Sequence, residues 1–195
     1  MYSLQTTVTI EDQTFNIRNK GDFRMVLDCF EALTDTELTE TERVYSAMII
    51  FYEGFNDIED IIKHKSVLEQ LQREMVKFLD GGEEELPSNT RGHKLLNWKQ
   101  DSNLICSAIN GVAKQEIRSL DYLHWWTFLS YYQAIGECPL THIVGIRYKL
   151  ANGDKLEKHE KKFMQENIQY FNRDYRSVEQ QEADEYIRRL WGDSK

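Results

Sequence analysis

Strand-like alternation opens the chain, and helical spacing takes over from Asp22. Val8 and Ile10 alternate with polar neighbours, as do Phe15 and Ile17, with Glu11-Asp12-Gln13 between them. This predicts a hairpin within Ser3 to Arg18. Two strands alone are marginal in water, so the apolar face needs helices or a partner's sheet to cover it. Gly21-Asp22 then reads as a break and cap for a helix carrying Phe23, Val26, Leu27, Phe30 and Leu33 at spacings of three and four. Thr39 and Glu42 form a capping-box pair ahead of Val44, Ala47, Met48, Phe51 and Tyr52. A third helix is expected from Asn56, with Glu59 three residues on. Its stripe is Ile58, Ile61, Ile62, Leu68, Leu71, Met75 and Phe78, with a joint around His64 to Ser66.

Apolar side chains nearly vanish over residues 80–93, where Gly81-Gly82, Glu83-Glu84-Glu85, Pro87 and Gly92 cluster. Helical spacing resumes with Leu104, Ile105, Ala108 and Ile109; Val112 and Ile117 extend it or belong to the following turn. Ser119 or Asp121 is expected to cap a helix running from Tyr122 to Tyr132 that ends at Gly136. One face of it is Tyr122, Trp125, Trp126 and Leu129; the other includes Phe128, Tyr131 and Tyr132. A helix apolar on every side is central in its core or covered by a partner. A short helix is read over residues 141–149, bearing Ile143, Ile146 and Tyr148, with a stop at Asn152-Gly153. A charged helix follows over 154–172, and Ser177 with Gln180 opens a last one carrying Ala183, Ile187, Leu190 and Trp191. The expected fold is mainly α: a multi-helix bundle with a small N-terminal β-hairpin. It divides into residues 1–79 (hairpin plus helices), 80–93 (acidic linker or loop) and 94–195 (helical region around the aromatic helix).

Composition narrows the function more by exclusion. The 195 residues carry 24 Lys and Arg against 33 Asp and Glu, a net charge of −9 that opposes a phosphate-tracking nucleic-acid binder. Hydrophobic residues at 41% suffice for one core, or one core with a small lobe. Three scattered cysteines, Cys29, Cys106 and Cys138, form no disulfide framework, and this points to a reducing compartment. No secretory signal pattern occupies Met1 to Ile10, and no apolar window is long enough for a bilayer.

Reactive chemistry has few candidates. His124 and His142 lie in aromatic or apolar stretches, and Cys138 precedes His142 by four residues. Pro139 opposes a continuous helix through Cys138, and two ligands fall short of the three or four that zinc takes. The alternative is a buried thiol and a hydrogen-bonded imidazole. Gly81-Gly82 lacks the following Gly-Lys-Ser or Gly-Lys-Thr of a phosphate loop. Lys155, Lys158, Lys161 and Lys162 interleave with Glu157 and Glu160, the pattern of a solvated helix face. No catalytic residue, metal or cofactor is expected.

Tyr122-Leu123-His124-Trp125-Trp126 with Phe128 resembles the signature of the bacteriophage Gp15 family, described as tail assembly chaperones of siphophages. Val8-x-Ile10, Phe15-x-Ile17, Asp22-Phe23-Arg24 with Leu27 and Phe30-Glu31, and Ile143-x-Gly145-x-Arg147 are similar too, to about residue 170. Asp12-Gln13 departs from the Asp-Gly turn usual there. The resemblance implies a non-enzymatic protein that keeps the tape measure protein soluble during tail assembly. It would act in the host bacterial cytoplasm and be absent from the mature virion. Tail tube subunits or a companion assembly chaperone are further partners it suggests, and self-association is open; neither nucleic acid nor membrane is a partner. A structural tail or connector component is the alternative. The interaction or structural core would be Tyr122, Leu123, His124, Trp125, Trp126, Phe128, Gly145 and Arg147. Gly145 is read as permitting a close helix contact. Arg188, Arg189 and Trp191 would form an interaction arm or part of a docked terminal helix.

Overall fold

The computed structural model describes residues 3–82 and 95–171. The acidic run Glu83 to Glu85, the helix expected from Ser177, and Arg188, Arg189 and Trp191 lie outside the described residues. The fold is mainly helical with a small N-terminal hairpin. Two compact units emerge, and they cut the chain differently from its linear composition. Of the described residues, 3–82 and 109–134 fall in the first and 95–108 with 135–171 in the second, so the aromatic segment counts with the N-terminal elements.

In the first unit, β1 (Thr7–Ile10) pairs antiparallel with β2 (Gln13–Asn16). Gln13 pairs with Ile10, so the turn is two residues, Glu11 and Asp12, and excludes Gln13. Glu11 takes the left-handed φ of +52°. Val8, Ile10 and Phe15 face inward, as alternation requires. The hairpin is covered as expected: Ile17 bridges to Tyr52, and the Phe15 ring meets Tyr52 edge-on at 6.1 Å.

Asp22 caps α1 (Phe23–Leu33), its carboxylate accepting from the Arg24 N–H. The buried side is Phe23, Met25, Val26 and Cys29, while Leu27, Phe30 and Leu33 are half-buried. The expected stripe is thus rotated, because Met25 and Cys29 fill the space toward the next helix. That helix, α2 (Glu40–Phe51), opens with the Thr39–Glu42 capping box. Its last carbonyls would be orphans. Arg18 serves them, donating to Ile49, Ile50, Tyr52 and Phe55 carbonyls at 3.0 Å each, a cation placed where the helix dipole favours it.

The expected third helix is two helices. Asp57, and not Asn56, caps α3 (Ile58–Lys63). A 3₁₀ turn, Lys65–Val67, forms the joint, and α4 (Leu68–Leu79) follows with Leu71, Met75, Phe78 and Leu79 buried.

The second unit begins with the start of α5 (Ser102–Ala113), whose end counts with the first. It continues with α7 (Pro139–Ala151) and α8 (Lys158–Glu166), while α6 (Trp125–Gln133) belongs to the first unit. Pro139 occupies the first helical position of α7 behind Cys138, where its missing N–H costs no bond. The charged helix expected over 154–172 is shorter than predicted. Glu157 and Glu160 form its capping box, and a 3₁₀ turn, Ile168–Tyr170, replaces its last part. Ile143, Ile146 and Phe171 form the core, flanked by Leu104, Leu156, Phe163, Met164 and Tyr170.

Candidate functional site

The aromatic segment does not enter its helix at Tyr122. α6 runs Trp125–Gln133, and neither Ser119 nor Asp121 caps it. His124 does: its Nδ1 accepts the Trp126 N–H at 3.1 Å. On its other edge, Nε2 lies 2.9 Å from the Gln5 carbonyl. An acceptor at Nδ1 and a donor at Nε2 define the neutral imidazole in one tautomer. The ring is 1% exposed, and burial pushes its pKa down despite the Gln5 hydrogen bond and the Asp22 charge, which pull it up.

Before the helix, Tyr122 and Leu123 are extended, and this explains the burial pattern. The Leu123 N–H donates to the Asp22 carboxylate at 2.9 Å, and its carbonyl accepts from the Phe23 N–H at 2.9 Å. The start of α1 and the approach to α6 are therefore stitched side by side, with Asp22 capping one and pairing with the other. Tyr122 remains 43% exposed, its hydroxyl donating to the Lys20 carbonyl at 3.0 Å.

Within α6, Trp125 and Phe128 are buried and stack at 5.3 Å, and Phe128 stacks on Phe23 at 4.8 Å. Trp126, Leu129, Tyr131 and Tyr132 are half-buried. Each indole donates to a carbonyl at the end of α4: Trp125 to Leu79 at 2.8 Å and Trp126 to Phe78 at 3.0 Å. Gly81 and Gly82 continue from that end at φ +86° and +85°. A Cβ on Gly82 would fall 2.8 Å from the Trp126 ring, so the glycine permits the chain to pass over the indole.

Of the two expected positions further along, Arg147 is fully buried and Gly145 lies on the exposed side of α7. Among the described residues a Cβ on Gly145 would meet nothing within 4 Å, so the close helix contact read for it is not made by any described element. Arg147 forms an ion pair with Asp101 at 2.8 Å, both side chains 0% exposed, and also donates to the Leu95 and Tyr170 carbonyls. Asp22 is legible in the sequence as the cap of α1, but its bond to Leu123 is not, nor are the partner roles of Asp101 and Gln5. A lone acid just before an apolar stripe is the available signal for Asp101.

His142 and Cys138 fall in the second unit, and His124 in the first. His142 sits edge-on to Phe163 at 4.4 Å. Among the described residues no group of three or more His, Cys, Asp or Glu could hold a metal ion. No helix of the described residues is long and apolar enough to cross a membrane.

The profile of a family described as Bacteriophage Gp15 protein matches residues 2–172. No curated protein and no solved structure matches the chain.

Proposed function

Because the chain belongs to the bacteriophage Gp15 family, whose membership implies a role related to phage tail assembly, we propose that it is a tail assembly chaperone. It binds the tape measure protein and holds that long helical protein soluble until tail tube subunits polymerise around it. The role is non-enzymatic, is carried out in the host cytoplasm, and leaves no copy in the finished virion. The observation that carries the reading is the family match across residues 2–172.

Physical features support it. A client with long apolar helical stripes aggregates unless those stripes are covered. Helix-in-groove contacts supply the cover, and a net charge of −9 keeps the complex soluble. Several apolar side chains are available for such contacts, including Ile58 and Ile62, one turn apart on α3, and Tyr122. Many copies along one client gain avidity without any tight single site, so release remains achievable.

The test is co-expression with the tape measure protein of the same phage. The expected result is soluble client that co-purifies with several copies of this chain by native mass measurement, and no copies in purified virions. Client that is equally soluble alone, or this chain in virions at fixed stoichiometry, refutes the proposal; the latter outcome favours a structural tail component.

A further inference from the structure

We infer that a cavity walled by Tyr122 in the first unit receives a lysine or arginine side chain presented by the client. This deepens the chaperone reading and rests on it. The cavity is about 430 Å³ and opens to solvent beside the turn that links β2 to α1. Its charge balance is uneven. Asp22, Asp28 and Asp121 line it against Arg18 and Arg24. The arginines are largely committed: Arg18 to the four carbonyls at the end of α2, and Arg24 to Asp22 at 3.1 Å and to the Arg118 and Leu120 carbonyls. Asp28 and Asp121 form no hydrogen bond or ion pair with any described residue. Glu31 adds a further negative charge beside Asp28, and partial burial with that neighbour raises the Asp28 carboxyl above the usual range. An arriving cation relieves both effects.

The remaining walls suit the stem of such a side chain. Met25 and Ile50 supply apolar surface. The Tyr122 ring is held in place by its hydroxyl bond to Lys20, so it is ordered before anything binds. A long basic side chain lays its methylenes on apolar surface while its head reaches carboxylates. A small metal ion or a free amine would use only the carboxylates and leave this wall idle. The cavity also borders an uncommon backbone: Asn19, Lys20 and Gly21 are successively left-handed at φ +50°, +52° and +79°. The Tyr122 hydroxyl bond fastens that turn, so the wall and the rim are one rigid piece.

The test compares the wild-type chain with Asp28→Asn/Asp121→Asn and with Asp28→Glu/Asp121→Glu in competition, at low and high salt, for tape measure protein held in its soluble co-expressed complex with a tagged wild-type chain. The Asn pair is expected to bind about tenfold more weakly and to lose part of the salt dependence, and the Glu pair to bind near wild type. Removing the Asp28 charge relieves its repulsion with Glu31, so the Asn pair should melt no earlier than wild type. Should it melt early, the single variants Asp28→Asn and Asp121→Asn decide, each expected to lose part of the affinity. Equal affinity and equal salt dependence across folded variants overturns the inference while leaving the chaperone reading intact. A wild-type chain that fails to bind the client overturns the chaperone reading itself.

Discussion

Replacing Arg147 by methionine tests what the second unit depends on. The guanidinium's hydrogen bonds to described residues include two to Asp101 at 2.8 and 3.0 Å, two to the Tyr170 carbonyl at 3.1 and 2.7 Å, and one to the Leu95 carbonyl at 2.9 Å. Neither partner of the ion pair is exposed. Methionine fills much of the volume and removes the charge, leaving the Asp101 carboxylate buried against the Asn97 N–H. Stranding one member of a buried pair costs about 3–5 kcal/mol. Asp101→Asn in the same background removes the stranded charge and keeps an acceptor for Asn97. The double variant should therefore recover about 1–3 kcal/mol relative to the sum of the single changes. It should not reach wild type, because the Leu95 and Tyr170 carbonyls lose the Arg147 donor, and a lost buried hydrogen bond costs about 0.5–1.5 kcal/mol. Two buried thiols make the assay specific, since Cys106 lies in the second unit and Cys29 in the first. Alkylation of Cys106 during urea unfolding reads the unit under test, and Cys29 reads the other separately. Free-energy losses that add to within about 0.5 kcal/mol in the double variant would refute the pair as the coupling element.

Two further outcomes follow from particular contacts. Gly82→Ala sets a methyl 2.8 Å from the Trp126 ring at φ +85°, whereas Gly54→Ala, at φ +87°, meets nothing within 4 Å. The first should cost about 1–3 kcal/mol more than the second in thermal melts, and equal losses would show that the ring moves aside freely. His124 is buried neutral with a lowered pKa, so the unfolded chain takes up a proton that the folded chain refuses. Its contribution to stability is whole above about pH 6.5 and is lost as pH falls below that value toward the folded pKa. The drop in urea midpoint between about pH 8 and about pH 5.5 should shrink in His124→Asn, which keeps a side-chain cap; an unchanged drop assigns the effect to other groups.

Much of the local structure in both units could be read from spacing alone. The hairpin alternation, the Thr39–Glu42 box, the joint at His64 to Ser66 and the stop at Asn152-Gly153 each depend on neighbours a few residues away. The errors arise where distant chain segments decide. Met25 and Cys29 outcompete Leu27 and Leu33 for the interior of α1 because α2 covers that side, the Cys29 thiol reaching the Ala47 carbonyl at 3.6 Å. Asn152 does stop α7, and the Glu157–Glu160 box sets the late start of α8; at its far end the Tyr170 carbonyl, in the 3₁₀ turn, accepts from the distant Arg147. The division into units was hidden for the same reason. The aromatic segment follows the acidic stretch in sequence, while its indoles bond to the end of α4, which precedes that stretch.

That last pairing changes what the most recognisable segment of the chain does. Read as a helix, Tyr122 to Tyr132 is an apolar cylinder, and its aromatics are interchangeable filler. In the fold it is a junction with distinct duties. Leu123 is stitched through its backbone to Asp22 and Phe23, His124 caps α6 while tethering Gln5, and Trp125 and Trp126 seal the final carbonyls of α4. Each duty needs a particular donor or acceptor as well as apolar volume. A leucine at 125 has no N–H for Leu79, and an alanine at 124 offers neither cap nor tether. A run of residues that must each satisfy a different distant segment tolerates few substitutions, and this gives a physical reason for the particular side chains found at 123 to 126. The exception is Tyr122, which stays 43% exposed and bonds through its hydroxyl to the Lys20 carbonyl. Its ring is the part of the segment against which the proposed basic side chain of a client would lie.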